Sequence, residues 1–177
     1  MISFWLILQF LFAEFAALAM RGTTLVTGSG DWGTGCSKAD NATYRADFPS
    51  SSPYVVSTGA TTFPAGSAAT KGTEVGVSFS SGGFSRHFPM PSYQKHGVTG
   101  FLAGCKVPRS HFNASGRGFP DISAVGVAFQ IVVNGKVGNV GGTSASSPTF
   151  GAILSLVNSE RLSKGKKTIG WANPLLQ

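Results

Sequence analysis

The sequence predicts an α/β domain in which strands end in glycine-rich turns that present polar side chains to the start of a helix. Three observations point there. First, Gly142-Thr143-Ser144-Ala145-Ser146-Ser147-Pro148 leads into the apolar run Thr149 to Val157, a glycine-led turn opening a buried helix. Second, the β-branched stretch Thr23 to Thr27 runs into Gly28-Ser29-Gly30-Asp31-Trp32-Gly33-Thr34-Gly35-Cys36, a strand delivering a glycine-rich loop where open α/β sheets place ligands. Third, 24 Gly and 14 Phe among 177 residues, 42% hydrophobic and only 12% charged, describe one compact, turn-rich domain rather than a helical bundle or a disordered chain.

The elements follow in order. Met1 to Ala13 is almost wholly apolar, interrupted by Ser3 and Gln9. It reads either as a signal peptide with Ala17-Leu18-Ala19 at its cleavage site, or as a buried helix continuing through Glu14 to Met20 and ending near Gly22. The lack of basic residues at the start, and Glu14-Phe15 ahead of the cleavage site, favour the helix. The stretch is short for a membrane span. After the strand 23–27, Gly28-x-Gly30-x-x-Gly33 formally fits a dinucleotide loop, but the polar, irregular segment up to Pro49 offers no following helix. Phe48 to Pro53 is a turn, Tyr54 to Thr58 a strand, and Pro64 to Thr73 a surface loop. Glu74 to Phe79 reads as a strand and Ser80 to Ser85 as a loop. Pro89-Met90-Pro91 stops regular structure, and Ser92 to Ala103 reads as a helix. Pro120 to Val125 and Phe129 to Val133 are strands. Asn134-Gly135 is a hairpin turn, and Lys136 to Val140 returns to the Ser144 helix.

The net charge is +7, but Lys and Arg are scattered. Their one cluster, Arg161, Lys164, Lys166 and Lys167, sits where cations favour a helix C-terminus, and no nucleic-acid-binding motif accompanies it. Cys36 and Cys105 are the only cysteines, without spacing for zinc. Asn41-Ala42-Thr43 and Asn113-Ala114-Ser115 are glycosylation acceptors in a secretory chain.

Ser144 is the candidate nucleophile, because free N–H groups and the positive end of a helix dipole favour a developing negative charge. The competing reading makes Thr143 or Ser144 a helix cap. A nucleophilic serine needs a base, and nothing in the sequence ties His87, His96 or His111 to Ser144. Gly-Thr-Ser-x-x-x-Pro opening a buried helix resembles the nucleophile motif of the subtilisin-like superfamily. Ser29-Gly30-Asp31-Trp32-Gly33, with aspartate where subtilisins carry asparagine, resembles the sedolisin branch, the serine-carboxyl peptidases. Further motifs keep that order: Arg21 to Leu25, Phe48 to Val55, Ser81 to Ser85, Phe88 to Gln94, Phe112 to Arg117 and Pro120 to Ile122, from about Glu14 to Leu176. They are nearest to the tripeptidyl-peptidases of that family.

The resemblance implies a subtilisin-like three-layer fold with a mostly parallel sheet, here a partial catalytic domain over residues 1–177. Residues 1–13 are then the start of a helix or a gene-model artefact. It implies a serine-type peptidase acting in acid, with peptide or protein substrates, releasing N-terminal tripeptides. An acid endopeptidase, or a short non-catalytic relative, is the alternative. Ser144 would be the nucleophile of a Ser-Glu-Asp triad, with Asp31 in the oxyanion hole, where it donates only when protonated. The triad glutamate and aspartate, and the family's calcium ligands, match no residue of this chain, so the chain alone is expected to be inactive. A lysosomal or other acidic compartment, or secretion, follows. Gly141 stands where the family has serine, and Trp32 where it has a small residue, which would crowd the pocket. Cys36 matches a family cysteine whose partner lies outside this sequence and Cys105 matches none, so a bridge between them is not expected.

Overall fold

The computed structural model describes residues 4–35, 43–64 and 73–177. Three strands form its centre. β1 (Leu25–Gly28) pairs in parallel with β2 (Val55–Thr62), in register Leu25 to Val55 through Gly28 to Thr58. β6 (Ile122–Val125) pairs in parallel with the second half of β2, and the two-residue β3 (Val75–Gly76) lies antiparallel at its end. Successive strand residues point to opposite faces. Val55 and Val56 are nevertheless both buried, so β2 is covered on both sides, as parallel strands require.

α3 (Thr143–Ser163) covers one face. Its buried residues Thr143, Ser146 and Phe150, continued by the partly buried Leu154, recur at helical spacing. Phe150 meets Val56 and Ala172 in the core, with Val26, Ile122, Ile169 and Leu176 packed around them. The outer face of α3 stays open, with Ile153, Leu156, Val157 and Leu162 exposed. The helix is therefore buried on one face only and leaves apolar side chains on the other, not buried all round as its apolar run implied.

α1 (Phe4–Met20) forms a helix, ended by Gly22 at φ +79°. It too is less buried than expected. Phe12 stacks on Phe88 and Phe15 on Phe48, and Ala19 is buried, but Phe10 and Met20 face solvent. No helix among the described residues is long and apolar enough to cross a membrane.

Two antiparallel pairs lie outside the central sheet: β4 (Gly83–Pro89) with β5 (Gly116–Phe119), and the hairpin β7 (Phe129–Val133) with β8 (Lys136–Val140). Asn134 and Gly135 both take positive φ, the type I′ turn their sequence predicts. α2 (Lys95–Gly104) continues a 3₁₀ turn over Ser92–Gln94. Two expectations need correction. Glu74 to Phe79 yields only β3, because the chain leaves Gly76 into the 77–80 turn. The 80–85 loop gives way at Gly83 to β4. Gly116 opens β5, where a Cβ would meet the Ser85 carbonyl, so small residues there permit the pairing. The loop expected over 64–73, and Cys36 and Asn41, lie largely or wholly outside the described residues.

A fully buried ion pair anchors β5 and β6 to β2. Arg117 reaches Asp121, and Asp121 also accepts from Ser57 N–H at 2.7 Å and from Gln94 Nε2 at 3.0 Å. Burial raises the Asp121 carboxyl above its ordinary range, against the lowering pull of Arg117 and these donors.

Candidate active site

The site forms where the C-terminal end of β1 meets the first turn of α3. Gly28 makes the approach possible: a Cβ there would lie 2.8 Å from Thr143 Oγ1 and 2.9 Å from Thr143 C and O. Beyond it, Gly30 N–H donates to Thr143 Oγ1 at 3.1 Å. Asp31 then turns its carboxyl onto the helix. Its Oδ1 accepts from Thr143 N–H at 2.7 Å and from Thr143 Oγ1 at 2.9 Å. Residues 112 apart in sequence are thus joined by two hydrogen bonds to a single oxygen.

The helix cap is now settled. Gly142 is the N-cap, at φ +133°, and makes no side-chain cap bond. Neither Thr143 nor Ser144 caps the helix by its hydroxyl. Asp31 does so from the neighbouring loop, by taking an N–H that the helix cannot satisfy itself. Its other oxygen, Oδ2, remains on the Ser144 side. A Cβ on Gly142 would lie 2.8 Å from Asp31 Oδ2 and 2.9 Å from Ser144 Oγ, so these two oxygens flank one small space. Ser144 is exposed, and its N–H, at the second helical position, has no intrahelical acceptor. Pro148 cannot donate to the Ser144 carbonyl four residues before it, so the motif's proline loosens the first turn's bonding on the same side.

Ser144 and Asp31 are therefore brought together. No hydrogen bond links His87, His96 or His111 to Ser144 among the described residues, nor does a glutamate reach it. Glu14 is exposed on α1, Glu74 bonds Thr61, and Glu160 pairs with Lys164 near the far end of α3. Trp32 is 64% exposed, and its ring carries the Arg45 guanidinium at 5.3 Å, with Arg45 in turn paired to Asp47. Cys105 is half-buried and forms no disulfide among the described residues. Asn113 has its amide engaged. Nδ2 donates to the Ser85 carbonyl at 3.0 Å, and Oδ1 accepts from Ser115 N–H and Oγ. Among the described residues no three His, Cys, Asp or Glu side chains converge where they could hold a metal ion.

The sequence did not reveal that Thr143 joins the two halves of the site. Its position beside Ser144 drew attention only as a cap. A hydroxyl fully inside the fold, at the junction of two glycine-bordered segments, was the available signal.

No family model matches the chain. Tripeptidyl-peptidase 1 of Canis lupus familiaris is 46% identical over 167 residues, and that of Homo sapiens 44% over 167 residues. Each alignment covers 92% of this chain and 29% of the relative, so the chain spans less than a third of the length of these relatives. Among solved structures, a Pseudomonas sedolisin, a serine-carboxyl proteinase complexed with pseudo-iodotyrostatin, matches with a TM-score of 0.67 at 24% identity, over 93% of this chain and 45% of that one. Sphericase matches with a TM-score of 0.53 at 16% identity, over 86% and 39%. These neighbours establish a partial subtilisin-like α/β fold, and the close sequence relatives narrow it. The chain is thus similar in sequence to tripeptidyl-peptidase 1 over 92% of its own length, and similar in fold to a sedolisin, a serine-carboxyl proteinase.

Proposed function

We propose that this chain carries the nucleophile and the oxyanion donor of an acid-acting serine peptidase of the tripeptidyl-peptidase type. One observation carries the reading: Asp31 spends Oδ1 on Thr143 and leaves Oδ2 beside Ser144 Oγ. Ser144 Oγ attacks the scissile carbonyl carbon and gives its proton to a carboxylate base. The carbonyl oxygen takes up the electron pair and is met by the Ser144 N–H and by a protonated Asp31 Oδ2. The tetrahedral species collapses, the amine leaves with the proton returned by the base, and water releases the acyl group from Ser144. A carboxyl that must donate works only in acid, which accords with a lysosomal or other acidic compartment, or with secretion into one.

The base is a glutamate that the described residues do not bring to Ser144. That observation favours a second reading, a sedolisin-like chain without turnover of its own.

The test is a chimera in which these residues replace the matched segment of the Canis relative, which then supplies the base. It is expected to release tripeptides from a fluorogenic substrate with a free N-terminus at acid pH and to leave the N-blocked analogue intact. Cleavage of the blocked analogue makes it an endopeptidase. Turnover of neither contradicts the reading.

A further inference from the structure

Ser81 belongs to the Ser-Gly-Gly-Phe-Ser stretch, which none of the steps above uses. It is 4% exposed. Its two polar groups bracket Asp31. Ser81 N–H donates to the Gly30 carbonyl at 2.9 Å, and Ser81 Oγ accepts from Trp32 N–H at 3.0 Å. The peptide groups on either side of Asp31 are thereby fixed to one residue, 49 positions away from Trp32 in sequence. Ser81 is itself held to the sheet by its neighbour. Ser80 Oγ accepts from Ala60 N–H of β2 at 2.9 Å, and Ser80 N–H closes the 77–80 turn on the Val77 carbonyl at 3.0 Å. A continuous path of hydrogen bonds runs from the rigid centre of β2 through Ser80 and Ser81 to the loop that aims the Asp31 carboxyl.

Asp31 itself is exposed, and among the described residues its side chain is held only at Thr143. Two bonds at one end of a solvent-facing carboxylate do not fix its orientation unless the backbone beneath is fixed too. A displacement of about 1 Å in a catalytic group is enough to cost about a hundredfold in rate. We propose that Ser81 is a positioning residue, which holds the 30–32 backbone so that the Asp31 carboxyl meets the first turn of α3. The inference rests on reading Asp31 as the oxyanion donor, but its test does not depend on turnover.

The readout is amide hydrogen exchange of the full chain by NMR. The Thr143 amide is protected by its bond to Asp31 Oδ1. In Ser81→Ala, the Thr143 amide is expected to exchange about five- to tenfold faster, the loss of roughly one net hydrogen bond, while the β2 amides keep their wild-type rates. Ser81→Thr, which keeps the hydroxyl, is expected to restore protection. Uniform acceleration across β2 and Thr143 alike would reduce Ser81 to general stability and overturn the inference. So would an unchanged Thr143 rate in Ser81→Ala. Either result leaves the assignment of Ser144 to be judged separately by turnover of the chimera.

Discussion

Thr143 is the residue on which the site's geometry turns, and Thr143→Val isolates its hydroxyl. Valine keeps the shape and volume, so the helix and the packing against Gly28 remain. What is lost is Oγ1, which donates to Asp31 Oδ1 at 2.9 Å and accepts from Gly30 N–H at 3.1 Å. A hydrogen bond to an ionised carboxylate is worth about 1.5–3 kcal/mol and a neutral one about 0.5–1.5 kcal/mol. At 3% exposure water does not replace them, so the substitution costs about 2–4 kcal/mol in all. Equilibrium urea unfolding, followed by tryptophan fluorescence, measures it through the midpoint at unchanged slope. Thr143→Ser retains both bonds and loses only a methyl group, and is expected to cost less than half as much. A Thr143→Val midpoint within about 0.5 kcal/mol of wild type would show that Thr143 does not bridge the two loops, and the reasoning would fail.

Other substitutions follow from the same structure. Gly142→Ala places a Cβ against Asp31 Oδ2 and Ser144 Oγ at φ +133°, and is expected to cost about 1–3 kcal/mol in urea unfolding. Phe150→Ala empties the meeting point of α3, Val56 and Ala172 and is expected to cost about 3–5 kcal/mol, read as a fall in thermal midpoint. Asp121→Asn leaves the buried Arg117 charge unpaired, at a cost of about 3–5 kcal/mol at neutral pH. Because the Asp121 carboxyl is raised on folding, the folded chain binds the proton more tightly than the unfolded one. Its contribution therefore favours folding in acid and fades as pH rises through its raised folded value. The urea midpoint of wild type is expected to carry that trend, and Asp121→Asn to lack it.

The parts of the fold legible in sequence were those fixed by local chemistry. Asn134-Gly135 can hardly be other than a tight hairpin turn, and Gly142 with Pro148 bounds the start of α3. The β-branched residues before Gly28 make β1 plain. Exposure was less legible. An apolar run such as Phe4 to Met20 names a helix but not the depth of its packing, which depends on partners such as Phe88 and Phe48 far along the chain. β4 and β5 hid among glycines and serines because their pairing depends on close backbone approach at Gly116, not on side-chain pattern. Within the site, Ser144 and Asp31 were recognisable from motifs. The bonds that unite them pass through Thr143 and Ser81, whose small hydroxyls carry no distinctive signature. Nor was the pairing of Trp32 with Arg45 legible, since it joins a loop residue to one thirteen positions on.

The central claim is that Ser144 is a nucleophile and not a helix cap, and Ser144→Ala in the tripeptidyl-peptidase chimera measures it most directly. Ser144 is exposed and Gly142 holds the cap position, so the unfolding midpoint is expected to stay within about 0.5 kcal/mol of wild type. At the same time kcat at acid pH is expected to fall at least about 1000-fold, as when a catalytic serine is removed elsewhere. A variant that keeps kcat within about tenfold of wild type, or that loses about 1 kcal/mol of stability as a missing cap would, contradicts the claim.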